Sequence, residues 1–129
     1  MRLEDAEVHA ERWIRAWNNH ALDDVLALYA EDVVLHSSRV WDPNNADGTV
    51  QGKHALRAYF ATALERYPQL ELSLMGIYVA HGDRMVLEYL NRPDPATEIY
   101  VLERTRLVNR LAVDVEAAYG VERPKSRQS

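Results

Sequence analysis

The chain has 129 residues, no cysteine, and 15 basic against 20 acidic residues for a formal net charge of −5. That length points to one domain, at roughly 100–200 residues per domain, and the absence of cysteine excludes a disulfide framework, a thiolate zinc site and a cysteine nucleophile. The basic residues are scattered, which argues against a nucleic-acid partner; no apolar run is long enough for a bilayer span and MRLEDAEVH is no signal peptide, so a cytoplasmic protein without a membrane partner is expected.

Ala6, Ala10, Trp13, Ile14 and Trp17 recur at i, i+3 and i+4 spacings, so the opening segment reads as an amphipathic helix whose apolar face carries two indoles. Glu4, Asp5 and Glu7 fall in its first turn, where the helix dipole favours anions. Leu22, Val25, Leu26 and Tyr29 repeat the spacing on a second, shorter helix, and Val33-Val34-Leu35 then form a β-branched run that ends at His36. The segment SRVWDPNNADGTVQG is dense in Asn, Asp, Pro and Gly and reads as a long loop. Trp41 at its centre favours a lid that folds over something apolar. In GKHALRAYFATALERYP, Leu56, Tyr59, Phe60, Ala63 and Leu64 share one face of a third helix, which Pro68 closes.

From Leu70 the period changes to two. Leu70, Leu72 and Leu74 alternate with Glu71, Ser73 and Met75, and the strand continues through Ile77 to Val79. His81-Gly82-Asp83 turns into RMVLEYLN; Ile99 to Leu107 is a third long strand, and a turn near Val108-Asn109 leads to the fourth, Leu111 to Tyr119. Three helices followed by long antiparallel strands predict an α+β domain over residues 1–120, a cone-shaped bent sheet wrapped round the helices. A polar, disordered tail is expected over residues 121–129.

On the last strand Leu111, Val113, Val115 and Ala117 share one face, and Ala112, Asp114, Glu116 and Ala118 the other. Either the acidic face meets solvent, or Asp114 and Glu116 line the concave side. On the preceding strand Ile99, Val101, Glu103 and Thr105 form an apolar row with a single carboxylate, where burial would raise its pKa and keep it protonated. Glu103 and Asp114 are therefore the candidate acid–base pair. Trp13, Trp17, Tyr29, Tyr59 and Tyr89 serve either the core or a cavity for a flat apolar ligand; whether Glu88 or Tyr89 faces inward is left open. His36 is a rim histidine or an acid–base group. No His-x3-His pair or carboxylate cluster accompanies it, so no metal is expected, and His9, His20, His54 and His81 read as exposed. The motifs of serine hydrolases, Walker-type nucleotide binders and dinucleotide binders are missing, so no cofactor is expected.

The aromatic first helix with Trp13 and Trp17, the block LALYAEDVVLH, the segment GKHALRAYF and the closing strand NRLAVDVEAAY together resemble the nuclear transport factor 2-like superfamily, in its SnoaL-like polyketide cyclase and ketosteroid isomerase branches. The resemblance extends to Gly120 and implies a cystatin-like roll. In the isomerase branch a tyrosine and a protonated aspartate form an oxyanion hole and another aspartate is the base. The resemblance puts Trp13 at the tyrosine, Ser37 at the base and Glu103 at the oxyanion carboxyl, so two of those positions depart. In the cyclase branch the proton-transferring carboxylate lies on the closing strands, where Asp114 matches it best. The same resemblance puts His36 at a cavity mouth.

Two functions of different class follow. One is cofactor-independent acid–base catalysis on a hydrophobic, polycyclic or polyketide-like molecule: isomerisation, cyclisation, dehydration or epoxide opening. Glu103 and Asp114 would carry protons, His36 would assist, and Trp13, Trp17, Tyr29, Trp41, Tyr59, Tyr89 and Glu116 would hold the substrate. The other is a non-catalytic module for binding a small hydrophobic ligand or for dimerisation. The strand pattern sets Leu70/Leu72/Leu74 against Met75/Ile77/Val79, and two apolar faces predict a homodimer through the outer one.

Overall fold

A computed structural model describes residues 1–39 and 48–124. Trp41 and the centre of the expected lid lie outside the described residues, as do residues 125–129. Helix α1 spans Leu3–Asn18 and buries Ala6, His9, Ala10, Trp13, Ala16 and Trp17. Its small alanines let the helix sit close to the sheet while its indoles reach across it. The helix ends in a clamp. The Asn18 carboxamide accepts from Leu72 N at 2.7 Å and donates to Leu72 O at 2.9 Å, and His20 Nε2 lies 2.8 Å from Leu70 O. These bonds fix the start of the sheet against the end of α1. His9, expected to be exposed, is only 8% exposed.

Helix α2 is a short Leu22–Leu26 piece. Tyr29 does not continue it: it opens strand β1 (Tyr29–Ser37), pairing with Ala112 of the last long strand. Pairing across the sheet overrides the helical spacing. The end of the presumed loop is strand β2 (Thr49–Gln51), antiparallel to β1, and helix α3 (Lys53–Arg66) buries Leu56 and Phe60. Between β1 and β2, Gly48 has φ +72, and a Cβ there would lie 2.6 Å from Ser37 O, so only glycine fits this close approach.

Four long strands follow: β3 (Glu71–Ala80), β4 (Arg84–Arg92), β5 (Thr97–Val108) and β6 (Leu111–Tyr119). Asn109 and Arg110 join the last two with φ of 51° and 67°, the positive pair that a tight two-residue hairpin demands. A short β7 (Arg123–Pro124), within the expected tail, pairs with Glu98 and Thr97 at the start of β5. The sheet order is β2-β1-β6-β5-β4-β3. Three helices thus pack on a curved, open α+β sheet, as expected. The sheet is mixed, however: β1 and β6 run parallel. Turns force β3 to β6 to alternate direction, whereas a helix and four strands separate β1 from β6 and leave their direction to the packing. Among the described residues no helix is long and apolar enough to cross a membrane.

Of three register shifts among the described residues, two decide which side chains of β3 and β6 face the helices. One lies between Leu74 and Gly76 on β3, the other between Arg106 and Leu107 on β5 opposite Val113. Each bulge inserts one unpaired residue and reverses the alternation beyond it. Ile77 and Val79, opposite buried Leu87 and Met85, therefore share the helix-facing side with Leu72 and Leu74. The expected split into Leu70/Leu72/Leu74 and Met75/Ile77/Val79 faces does not occur. Ala112 likewise turns inward, 1% exposed, opposite Leu107.

Candidate functional site

The inner face has a continuous row: Ile77, Leu87, Glu103, Ala117 and Ser37 are successive partners across five strands. Beside it runs Leu74, Tyr89, Val101 and Tyr119. The helices cover these rows with aromatic rings. Trp13 meets Tyr89 edge-on at 5.1 Å, Trp17 meets Phe60 at 4.8 Å, and Tyr29 meets Phe60 at 5.6 Å. Such tilted contacts suit the ring quadrupoles and hold the walls rigid. Between helices and sheet lies a cavity of about 460 Å³, lined in its buried part by Trp13, Trp17, Tyr29, Leu35, Ser37, Tyr89, Glu103 and Tyr119. Arg39, Arg66, Tyr67, Asp94 and Glu122 line its exposed rim.

Glu103 is 6% exposed, and the Tyr89 hydroxyl donates to its Oε1 at 2.8 Å. Burial pushes its carboxyl from 4.5 up to about 7, opposed in part by the Tyr89 hydrogen bond, which favours the anion. Trp13 Nε1 donates to the Tyr29 hydroxyl at 2.8 Å. Burial first, and then the nearby Glu103 charge, raise Tyr29, Tyr89 and Tyr119, so all three remain neutral donors at physiological pH. Burial also raises Tyr59, against a hydrogen bond with Ser37 and the Arg39 charge. The site can offer hydroxyl protons and one carboxyl poised to hold or release a proton near neutrality.

Asp114 is not part of this constellation. Its row on the opposite face is Ala80, Arg84, Arg106, Asp114 and Val34, and the next is Tyr78, Val86, Arg104, Glu116 and His36. Asp114, Glu116 and His36 thus sit together outside the barrel-like concavity, corrected from the expected cavity positions. There Arg104 Nη2 lies 3.7 Å from Asp114 and 3.5 Å from Glu116, and His36 Nε2 lies 3.8 Å from Asp114. The reason is parity: Glu103 faces Ala117, an odd number of residues from Asp114 and Glu116 alike. Glu88 also points outward and accepts from Tyr78 at 3.0 Å, which leaves Tyr89 inside. Of the other expected ligand-facing residues, Trp13, Trp17, Tyr29, Tyr59 and Tyr89 all line the cavity, and Trp41 lies outside the described residues. Tyr119 and Arg39 were not anticipated. Tyr119 was within reach of the alternation, two residues beyond inward Ala117, whereas Arg39 lies in the turn after β1, where no strand period applies. Among the described residues no group of three potential metal ligands gathers.

A curved sheet closed by helices over an aromatic cavity, with one carboxyl in its buried wall, defines the class of small α+β cavity proteins. Within that class, the chain belongs to the SnoaL-like domain family, whose model matches residues 10–113. The family lies in the nuclear transport factor 2-like superfamily, as the order of elements also indicates. The structure is similar to a SnoaL-like protein of unknown function from Burkholderia thailandensis, at 25% identity and TM-score 0.84, over 94% of this chain and 99% of that one. It is similar to IdmH from Streptomyces antibioticus, a candidate polyketide cyclase, at 16% identity and TM-score 0.75, over 88% and 91% of the two chains. It is also similar to RV0760c from Mycobacterium tuberculosis, solved with estradiol-17β-hemisuccinate, at 19% identity and TM-score 0.73, over 91% and 95%. No curated protein matches the sequence.

Proposed function

We propose that the protein is a cofactor-independent acid–base enzyme acting on a hydrophobic polycyclic or polyketide-like small molecule. The observation that carries this is Glu103: a carboxyl enclosed by aromatic rings, tethered to Tyr89, and half-protonated near neutral pH. Its neutral form delivers a proton to a substrate carbonyl or epoxide oxygen. The resulting carboxylate, steadied by the Tyr89 hydroxyl, takes a proton back from carbon, so one group closes the cycle. Trp13, Trp17 and Phe60 hold the ring system, and similar folds that carry a steroid ester or are named as a cyclase support a ligand of this kind.

A second reading is a non-catalytic ligand-binding module. It is favoured by the single carboxyl: among the described residues, no other acidic side chain lines the buried wall. The test is a thermal-shift screen of aromatic polyketides and steroids, followed by assay of every stabilising compound with wild type and Glu103→Gln. Turnover lost in the variant with binding kept supports the enzyme. Binding without turnover by the wild type supports the module.

The same reading includes a homodimer through the outer sheet face. Met75, Tyr78, Tyr100 and Leu102 there are each at least 50% exposed, an apolar area that a second copy would cover. Tyr78 packs against Gly76, where a Cβ would meet its ring at 2.9 Å.

A further inference from the structure

From the rim of the cavity we infer that the ligand carries an acidic group, a carboxylate, which docks on Arg39 while its apolar body lies among the rings; this rests on the cavity being the ligand site. Arg39 lies in the turn that follows β1, and its backbone N–H donates to Ser37 Oγ at 3.1 Å, which ties it to the cavity wall. Its guanidinium carbon sits over the Tyr119 ring at 4.9 Å. Cation–π placement occupies the face of a guanidinium and leaves its in-plane N–H donors for a bidentate acceptor. Among the described residues no carboxylate lies within ion-pair distance of Arg39 and no side chain accepts from its guanidinium.

The other charges at the rim do not remove this preference. Arg66, over Tyr67, adds a second guanidinium. The Asp94 carboxylate is engaged by Ala96 N at 2.8 Å and Thr97 Oγ1 at 3.1 Å, which leaves Glu122 as the remaining rim acid. Inside the cavity the Arg39 charge acts on Tyr59 and Tyr119, whereas Glu103 is governed by burial and Tyr89. The cavity therefore has two distinct poles: a cation at the rim, and a carboxyl that titrates deep in the wall. A planar guanidinium matches a carboxylate better than a neutral oxygen.

The test compares 2-naphthyloxyacetate with its methyl ester, which differ in the charge, by titration calorimetry on wild type and Arg39→Gln. The acid is expected to bind wild type about tenfold more tightly than the ester, the effect of one charge-assisted hydrogen bond. Arg39→Gln is expected to erase that preference and leave the ester within about twofold, since the substitution sits at the rim. Equal affinity of acid and ester for wild type, or equal weakening of both in Arg39→Gln, overturns the carboxylate dock and leaves the cavity reading standing. Binding of neither probe overturns both.

Discussion

Tyr89 and Glu103 lie on adjacent antiparallel strands, yet their side chains meet, hydroxyl to carboxylate, at 2.8 Å in the buried wall of the cavity. They are diagonal neighbours: Glu103 is paired with Leu87 and Tyr89 with Val101, so the contact joins two adjacent rows of one face. The tyrosine stabilises the anion against the burial that opposes it. Tyr89→Phe should therefore move the Glu103 pKa above its present value of about 7. Carbon-13 NMR titration of the Glu103 carboxyl reads this directly, and a pKa that stays or falls refutes the assignment.

Glu103 and His9 give the fold opposite pH dependences. The Glu103 pKa is raised from 4.5 to about 7, so its contribution is fully present below 4.5 and is lost as pH rises through 7. His9, buried on α1, is lowered from 6.5 to about 4, chiefly by burial and then by Arg12. Its contribution is present above 6.5 and lost as pH falls through 4. Each shift corresponds to ~3 kcal/mol, and the two slopes largely cancel where the windows overlap. Urea unfolding across this range should show Glu103→Gln gaining on wild type as pH rises and His9→Gln gaining as pH falls. Differences that do not change with pH contradict the shifts.

Tyr29→Phe should destabilise the fold by about 1–3 kcal/mol, because it leaves the Trp13 indole N–H buried without its acceptor. A double-mutant cycle with Trp13→Phe separates this hydrogen bond from the ring packing, and no coupling between the two sites would rule it out as the cause.

Asp114→Asn and His36→Gln should leave cavity binding unchanged and cost only ~0–1 kcal/mol each, since their ion pairs are part-exposed on the outer face. Calorimetry with a cavity ligand and urea unfolding check this. A large loss of ligand affinity in either variant would return these residues to the site.

Leu102→Glu places a charge at the centre of the outer face, beside Glu88 of the neighbouring strand. Sedimentation velocity should find wild type dimeric and the variant monomeric at micromolar concentration. A monomeric wild type removes the dimer.

Read along the chain, the three helices, the four long strands and the class of fold are legible, whereas β2 and β7 are not and Tyr29 reads as helix although it opens β1. The spacing of Trp13 and Trp17 puts both indoles on one helix face, and the apolar row around Glu103 marks a carboxylate out of place on a solvated surface. Helical and strand periods are local properties, so they survive without knowledge of partners. Which strands pair in parallel, where the register slips and which face of β6 meets the helices depend on contacts between elements distant in the chain. A bulge costs one residue of phase: the one at Met75 lies within an apolar run that reads the same in either phase, and the one at Val113 reverses Ala112 and leaves Asp114 in phase with Glu116. Asp114 and Glu116 keep the common face that the alternation of β6 assigns them, and the pairing of Ala117 with Glu103 turns that face away from the helices; Glu103 stays inside because its own strand alternates unbroken from Ile99 to Thr105.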